Sequence, residues 1–202
     1  LEKRIPVAAG MAGGSTDAAS MLYGMNQIFD LGLSRKALME RGVKIGADVP
    51  YCLMRGTALA QGIGEKLSQL PPMVKCPVLI AKPAVSVSTK FVYQNLKLDE
   101  HTIHPDIDAL IGAIRNKDFT AICGNMGNVL ESVTIPNYPV IAQIKEKMME
   151  AGASHAMMSG SGPTVFGLFE DEEIARHARD VMKESGLARQ VYLTSIYNNR
   201  RK

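Results

Sequence analysis

The sequence predicts an α+β protein, and three observations carry that expectation. In the second half of the 202 residues, an apolar strand-like run is followed by several helical patterns, two more strand-like runs, a helix and a closing strand. That order suits an antiparallel sheet with helices packed on one face. In the first half, a glycine-rich turn feeds straight into a helical pattern. Hydrophobic residues make up 46% of the chain, ample for a packed core, and no internal repeat or low-complexity stretch argues for another architecture.

The first element is the turn Pro6 to Asp17, PVAAGMAGGSTD. Gly10, Gly13 and Gly14 can take positive φ and bring successive N–H groups into one concavity, a shape that suits an anion. Ser15, Thr16 and Asp17 read as N-cap and first-turn residues of a helix along which Ala18, Met21, Leu22, Met25, Ile28 and Phe29 recur. Its unpaired N–H groups and dipole add to the attraction for phosphate. The same glycines would also serve a plain connection from strand to helix. No Gly-Lys-Ser/Thr closes the loop and no GxGxxG is present.

Gly32 then stops the helix, and Ser34 caps a second one over Arg35 to Lys44. Gly46-Ala47-Asp48-Val49-Pro50 breaks the pattern, because the residue before proline is pushed out of the helical region. Tyr51 to Met54 and Thr57 to Gln61 read as short strands about a turn at Arg55-Gly56. Leu70-Pro71-Pro72 is the best candidate for a domain junction. Beyond it, Pro77 to Ala81 reads as a buried strand, Thr89 to Leu96 as a capped helix, and Pro105 to Asn116 and Lys117 to Cys123 as short helices. Pro139 opens a helix with an apolar face of Val140, Ile141, Ile144 and Met148 that ends by Gly152. Two strands, Ser154 to Met158 and Thr164 to Phe169, flank the turn Gly160-Ser161-Gly162-Pro163. Asp171 starts the last helix, which stops at Gly186, and Val191 to Tyr197 closes as a strand.

Composition narrows the function classes. The net charge is only +3, and Arg200, Arg201 and Lys202 supply three of the positive charges as a solvated tail, so no nucleic-acid partner is expected. No apolar window is long enough for a membrane span and no signal peptide opens the chain, which points to the cytoplasm. Cys52, Cys76 and Cys123 are odd in number and far apart, as expected of reduced, buried thiols. His101, His104, His155 and His177 lack metal-ligand spacing and read as surface or packing residues, while the 12 methionines read mostly as core filler.

Asp48, in KIGADVP, is the first candidate for chemistry. A carboxylate in a short constrained segment can sit at a fixed distance from a bound phosphate and take the proton of an acceptor hydroxyl. An aspartate in this setting also fits a simple Asx-turn.

The order P-x-x-A-G-x-x-G-G-S-[ST]-D resembles the phosphate loop of the GHMP kinase superfamily, which phosphorylates small molecules with ATP. The resemblance implies ATP binding by Pro6, Val7, Ala8, Ala9, Gly10, Met11, Ala12, Gly13, Gly14, Ser15 and Thr16, together with Mg2+, whose ligands it does not fix. G-[AS]-D-V-P is similar to the catalytic stretch of the branch that phosphorylates the 2-hydroxyl of a cytidyl-methylerythritol substrate in isoprenoid precursor biosynthesis, which gives Asp48 the catalytic role. MMSGSGPTVFGLF, which would also serve as a plain tight hairpin, resembles the loop that lies against the phosphate loop in this superfamily, and the resemblance implies that Gly160, Ser161 and Gly162 bind the substrate. GTALAQGIGEKL, AKPAVSVSTKFVY and NVLE resemble the same branch, in which Thr89 and Tyr93 would bind the substrate and Tyr93 would help hold its cytosine end; Tyr93 also fits a half-buried helix residue.

The implied fold has two parts. Residues 1–72 would be the remainder of an N-terminal ATP-binding domain, related to ribosomal protein S5 domain 2, and residues 73–202 a ferredoxin-like C-terminal domain. The superfamily carries strands and a lysine ahead of the loop; here Leu1 to Val7 leads to it at once, and no counterpart lies ahead of Lys3. The implied partner is a small molecule, with neither nucleic acid nor membrane, and the chain would be a monomer or a homodimer. Mevalonate, homoserine and galactose kinases share the glycine loops. A truncated, non-catalytic nucleotide-binding module is the reading from another functional class.

Overall fold

Helix α1 (Gly13–Ile28) begins two residues before the expected Ser15, because Ala12 takes a left-handed conformation (φ 48°) and turns the chain directly into it. Ser15 and Thr16 therefore sit inside the first turn, and Ala12 occupies the N-cap position without a side-chain capping bond. Ser34 caps α2 (Arg35–Gly42) as expected, its hydroxyl accepting from Ala37 N. Residues 51–54 are a correction: they belong to helix α3 (Val49–Met54) and form no strand. Pro50 lies in its first turn, where the missing N–H costs nothing. The strand β1 (Ala58–Gln61) consequently pairs with β2 (Lys66–Gln69), antiparallel, around a turn at residues 62–65.

The computed structural model describes residues 2–3, 5–6, 9–100 and 102–198. By its contacts the chain divides into two units, one of residues 12–73 with the chain end from Tyr197, the other of residues 1–11 and 74–196. In the smaller unit, α1, α2 and α3 enclose a small core of Ala19, Leu38, Val49 and Leu53. Gly42 allows the close approach of α2 and α3, since a Cβ there would stand 2.8 Å from Val49 Cγ1.

The larger unit is built on a four-stranded antiparallel sheet. Strand β3 (Pro77–Lys82) is followed by the helices α4 (Thr89–Asn95), α5 (Ile107–Asn116), α6 (Phe119–Asn125), α7 (Glu131–Asn137) and α8 (Val140–Glu150). Then come β4 (His155–Met158), β5 (Val165–Leu168), α9 (Glu172–Glu184) and β6 (Gln190–Ser195), and the strand order is β4-β5-β3-β6. This is the mixed architecture of helices and antiparallel sheet that the order of elements predicts. Helix α8 lies along β4 and β5 and α9 along β3 and β6, and the two touch, so they form one layer. Leu79, Ile141, Ile144, Met148, Met158, Phe169 and Met182 fill the space between, with essentially no exposure. Asp106, Asp118 and Asp171 each cap their helix by accepting from the N–H three residues on.

The three cysteines are free; Cys76 and Cys123 are buried, whereas Cys52 is only half-buried. Burial, and secondarily the neighbouring Cys123, pushes the Cys76 thiol up to about 11, so it stays protonated and unreactive at neutral pH. Among the described residues, no helix is long and apolar enough to cross a membrane and no group of three or more His, Cys, Asp or Glu is placed to hold a metal ion.

His155 gives the larger unit a pH-dependent stability. Burial first, then Lys145, lower its pKa, with Glu131 opposing, and its Nε2 is buried without a hydrogen-bond partner. The unfolded chain protonates this histidine below about pH 6.5, whereas the folded chain does so only at lower pH. The contribution to stability is therefore complete above about 6.5 and is lost as pH falls through the lowered value. Urea midpoints measured from pH 7.5 to pH 5 should fall, and His155→Leu should flatten that decline; an unchanged decline would assign it to another group.

Candidate active site

In the smaller unit, the first turn of α1 leaves the N–H groups of Gly13, Gly14 and Ser15 without intrahelical acceptors, and no acidic residue stands among them. Thr16 closes the turn, its N–H and its Oγ1 both donating to Ala12 O at 2.8 and 3.0 Å. Of the two residues that follow the glycines, Thr16 touches the segment around Asp48 and Ser15 lies near it. A Cβ on Gly46 would stand 3.7 Å from Ser15 Oγ, and Cys52 Sγ lies 3.6 Å from Thr16 Oγ1.

Asp48 sits between these two contacts. It is exposed, occupies the N-cap position of α3 without making a capping bond, and its carbonyl accepts from Cys52 N at 3.1 Å. The smaller unit thus sets the segment that carries Asp48 against the first turn of α1, whose leading N–H groups have no intrahelical acceptor. Sequence reasoning did not single out Cys52; a cysteine one helical turn after the aspartate gives no signal while that stretch is read as a strand.

In the larger unit, Gly10 takes φ 69° and lies against the turn at residues 159–162. A Cβ on Gly10 would meet Ser159 O at 2.3 Å, and Ser159 Oγ donates to Gly10 O at 2.7 Å. Ala9 beside it is buried. Val7 and Ala8 lie outside the described residues. The turn itself is closed by Gly162 N donating to Ser159 O, and Gly160 and Gly162 both have positive φ.

Ser161 is buried, and its Oγ lies 2.8 Å from Thr89 Oγ1 at the start of α4. Tyr93, one turn further along α4, is 61% exposed, so its ring is free to receive a flat partner. Two residues outside the expected set hold the turn from behind. Asn128 Nδ2 donates to Met158 O and Gly160 O, and the buried Thr134 shares its one Oγ1 hydrogen between Leu130 O at 3.1 Å and Ser161 O at 3.4 Å. The NVLE stretch contains Asn128, but nothing in its spacing says which carbonyls it reaches.

Comparisons with known proteins point to one family. The profile of the GHMP kinases N terminal domain matches residues 1–56, and that of the GHMP kinases C terminal matches residues 110–187. A 4-diphosphocytidyl-2-C-methyl-D-erythritol kinase of Lachnospira eligens is 60% identical over 197 residues, 98% of this chain and 68% of that protein. Its counterpart in Lachnoclostridium phytofermentans is 54% identical over 200 residues, 99% of this chain and 69% of that protein. Among solved structures, a 4-(cytidine 5'-diphospho)-2C-methyl-D-erythritol kinase superposes with a TM-score of 0.80 at 29% identity, covering 96% of this chain and 69% of the other. A homoserine kinase from Cytophaga hutchinsonii shares the fold, with a TM-score of 0.80 at 21% identity over 98% of this chain and 69% of that one.

Proposed function

The chain belongs to the GHMP kinases, among the 4-diphosphocytidyl-2-C-methyl-D-erythritol kinases, and we propose that it transfers the γ-phosphoryl group of ATP to the 2-hydroxyl of that cytidyl substrate. The observation that supports the chemistry best lies in the smaller unit. Cys52 Sγ, four residues after Asp48, contacts Thr16 Oγ1 in the first turn of α1, and Gly46, two residues before it, lies near Ser15, with room for no more than a Cβ between them. A proton acceptor beside a helix N-terminus is what phosphoryl transfer to an alcohol requires.

In this reading the free N–H groups of Gly13, Gly14 and Ser15 and the dipole of α1 receive the phosphates, with Pro6 to Ala12 as the approach to them. Asp48 accepts the proton of the 2-hydroxyl as its oxygen attacks the γ-phosphorus. The new O–P bond forms, the bond between the γ-phosphorus and the β,γ-bridging oxygen breaks, and ADP leaves with that electron pair. Thr89, Tyr93, Gly160, Ser161 and Gly162 serve the acceptor, with the Tyr93 ring stacking on the cytosine. Hydroxyl and phosphate oxygens are the hard ligands that Mg2+ takes, and the Ser15 hydroxyl, in the first turn of α1, would be the protein ligand. When bound, Mg2+ neutralises charge that develops on the phosphates. Use of ATP and of a diphosphate-bearing substrate favours a reaction in the cytoplasm.

ADP release in the presence of Mg2+ and ATP tests the reading. The cytidyl substrate should be turned over selectively, with mevalonate and homoserine at background. Equal turnover of the three acceptors would break the assignment of substrate, and ATP binding with no turnover on any of them would favour a non-catalytic module.

A further inference from the structure

The turn at residues 159–162 is held from one side by Asn128 and touches the glycine loop on the other, and this pair of contacts has a consequence for the nucleotide. Asn128 uses its whole amide. Its Nδ2 donates at 2.8 Å to Met158 O and at 2.8 Å to Gly160 O, and its Oδ1 accepts from Leu130 N at 3.0 Å. One side chain, on the segment leading into α7, thereby fixes the end of β4 and the first residues of the turn. Glu131 reinforces the hold, accepting from Met158 N through Oε1 and from Lys145 Nζ through Oε2.

The outer side of the turn presents Ser159 Oγ, which donates to Gly10 O at 2.7 Å. That bond aims the Gly10 carbonyl at the turn. The peptide that joins Gly10 to Met11 is trans and planar, so its N–H points the opposite way from its C=O. Fixing the Gly10 carbonyl therefore fixes the direction of the Met11 N–H, away from the turn. Met11 N–H is a backbone donor of the kind that receives phosphate in a glycine-rich loop.

We propose that Asn128 is a positioning residue for the nucleotide: through Ser159 it orients the peptide between Gly10 and Met11 so that the Met11 N–H is presented to a phosphate oxygen. The proposal rests on the reading of this chain as an ATP-dependent kinase. It adds a residue remote from the glycine loop in sequence, at position 128, to the machinery that sets ATP affinity. Asn128 touches neither substrate, and its effect passes through two hydrogen bonds.

The test uses Asn128→Asp, which keeps the shape but removes both N–H donors and sets a carboxylate against two carbonyl oxygens, together with Ser159→Ala and the double variant. The KM for ATP should rise about 10- to 100-fold in each single variant, while the KM for the cytidyl substrate stays within about threefold. The double variant should be no worse than the poorer single variant, because both act through one contact. The backbone 15N–1H resonance of Met11 in the nucleotide-free chain should shift in both single variants. Equal losses for the two substrates, additive effects, or an unmoved Met11 resonance would each overturn the proposal. If Asn128→Asp does not fold, Ser159→Ala alone still reads the contact with Gly10. Wild-type chain that releases no ADP would refute the kinase reading, and the Met11 resonance would still decide whether Asn128 holds that peptide.

Discussion

Asp48→Asn is expected to lower turnover on the cytidyl substrate by about two to four orders of magnitude and to leave ATP affinity within about threefold. The size follows from what the substitution removes. Asparagine keeps the shape of the side chain and its fitness for the N-cap position of α3, so Val49, Pro50 and Leu53 stay packed in the core of the smaller unit. What is lost is a group able to accept the proton of the attacking hydroxyl. With the phosphates received by the first turn of α1, as proposed, ATP binding would not depend on that carboxylate, and removing one negative charge near the phosphates would favour the nucleotide. Steady-state ADP release, with nucleotide binding measured separately by calorimetry, separates the two quantities. Near-normal turnover would remove Asp48 from the mechanism, and a parallel collapse of ATP binding would make its role structural.

The sequence was most legible where one residue decides the local structure. Ser34, Asp106, Asp118 and Asp171 announce helices by side-chain chemistry that needs no distant partner. Strand β3 is legible for a related reason, since a compact apolar run bounded by prolines has few other places to go. The misreading of residues 51–54 has a physical cause. A four-residue apolar run has no period to distinguish strand from helix, and a proline that reads as a breaker is equally at home in the first turn of a helix.

The start of α1 was illegible because it depends on Ala12 adopting a left-handed conformation that alanine rarely takes. Within the candidate site, the contact of Thr16 with Cys52 spans 36 positions and that of Asn128 with Met158 spans 30. A single sequence displays the residues at both ends of such contacts, but not their meeting.

Gly10→Ala is expected to have the second large effect, and it acts from the backbone. Two independent penalties coincide at this position. The added Cβ would stand 2.3 Å from Ser159 O, with Gly162 O at 3.2 Å, and these are backbone atoms that cannot rotate away. The φ of 69° is also one that alanine adopts only with strain. The peptide between Gly10 and Met11 must then withdraw from the turn, breaking the 2.7 Å bond from Ser159 Oγ. A displacement of about 1 Å in a group that positions a reacting substrate costs on the order of 100-fold in rate, so kcat/KM for ATP should fall by about that factor. Gly24→Ala is the control. Gly24 lies inside α1, a Cβ there meets nothing within 4 Å, and alanine is favoured over glycine in a helix by about 1 kcal/mol. That variant should keep its ATP kinetics and melt at a slightly higher temperature. If Gly10→Ala retains wild-type kcat/KM for ATP, the close approach of Gly10 to the turn is irrelevant to catalysis, and the phosphate-binding role narrows to the first turn of α1.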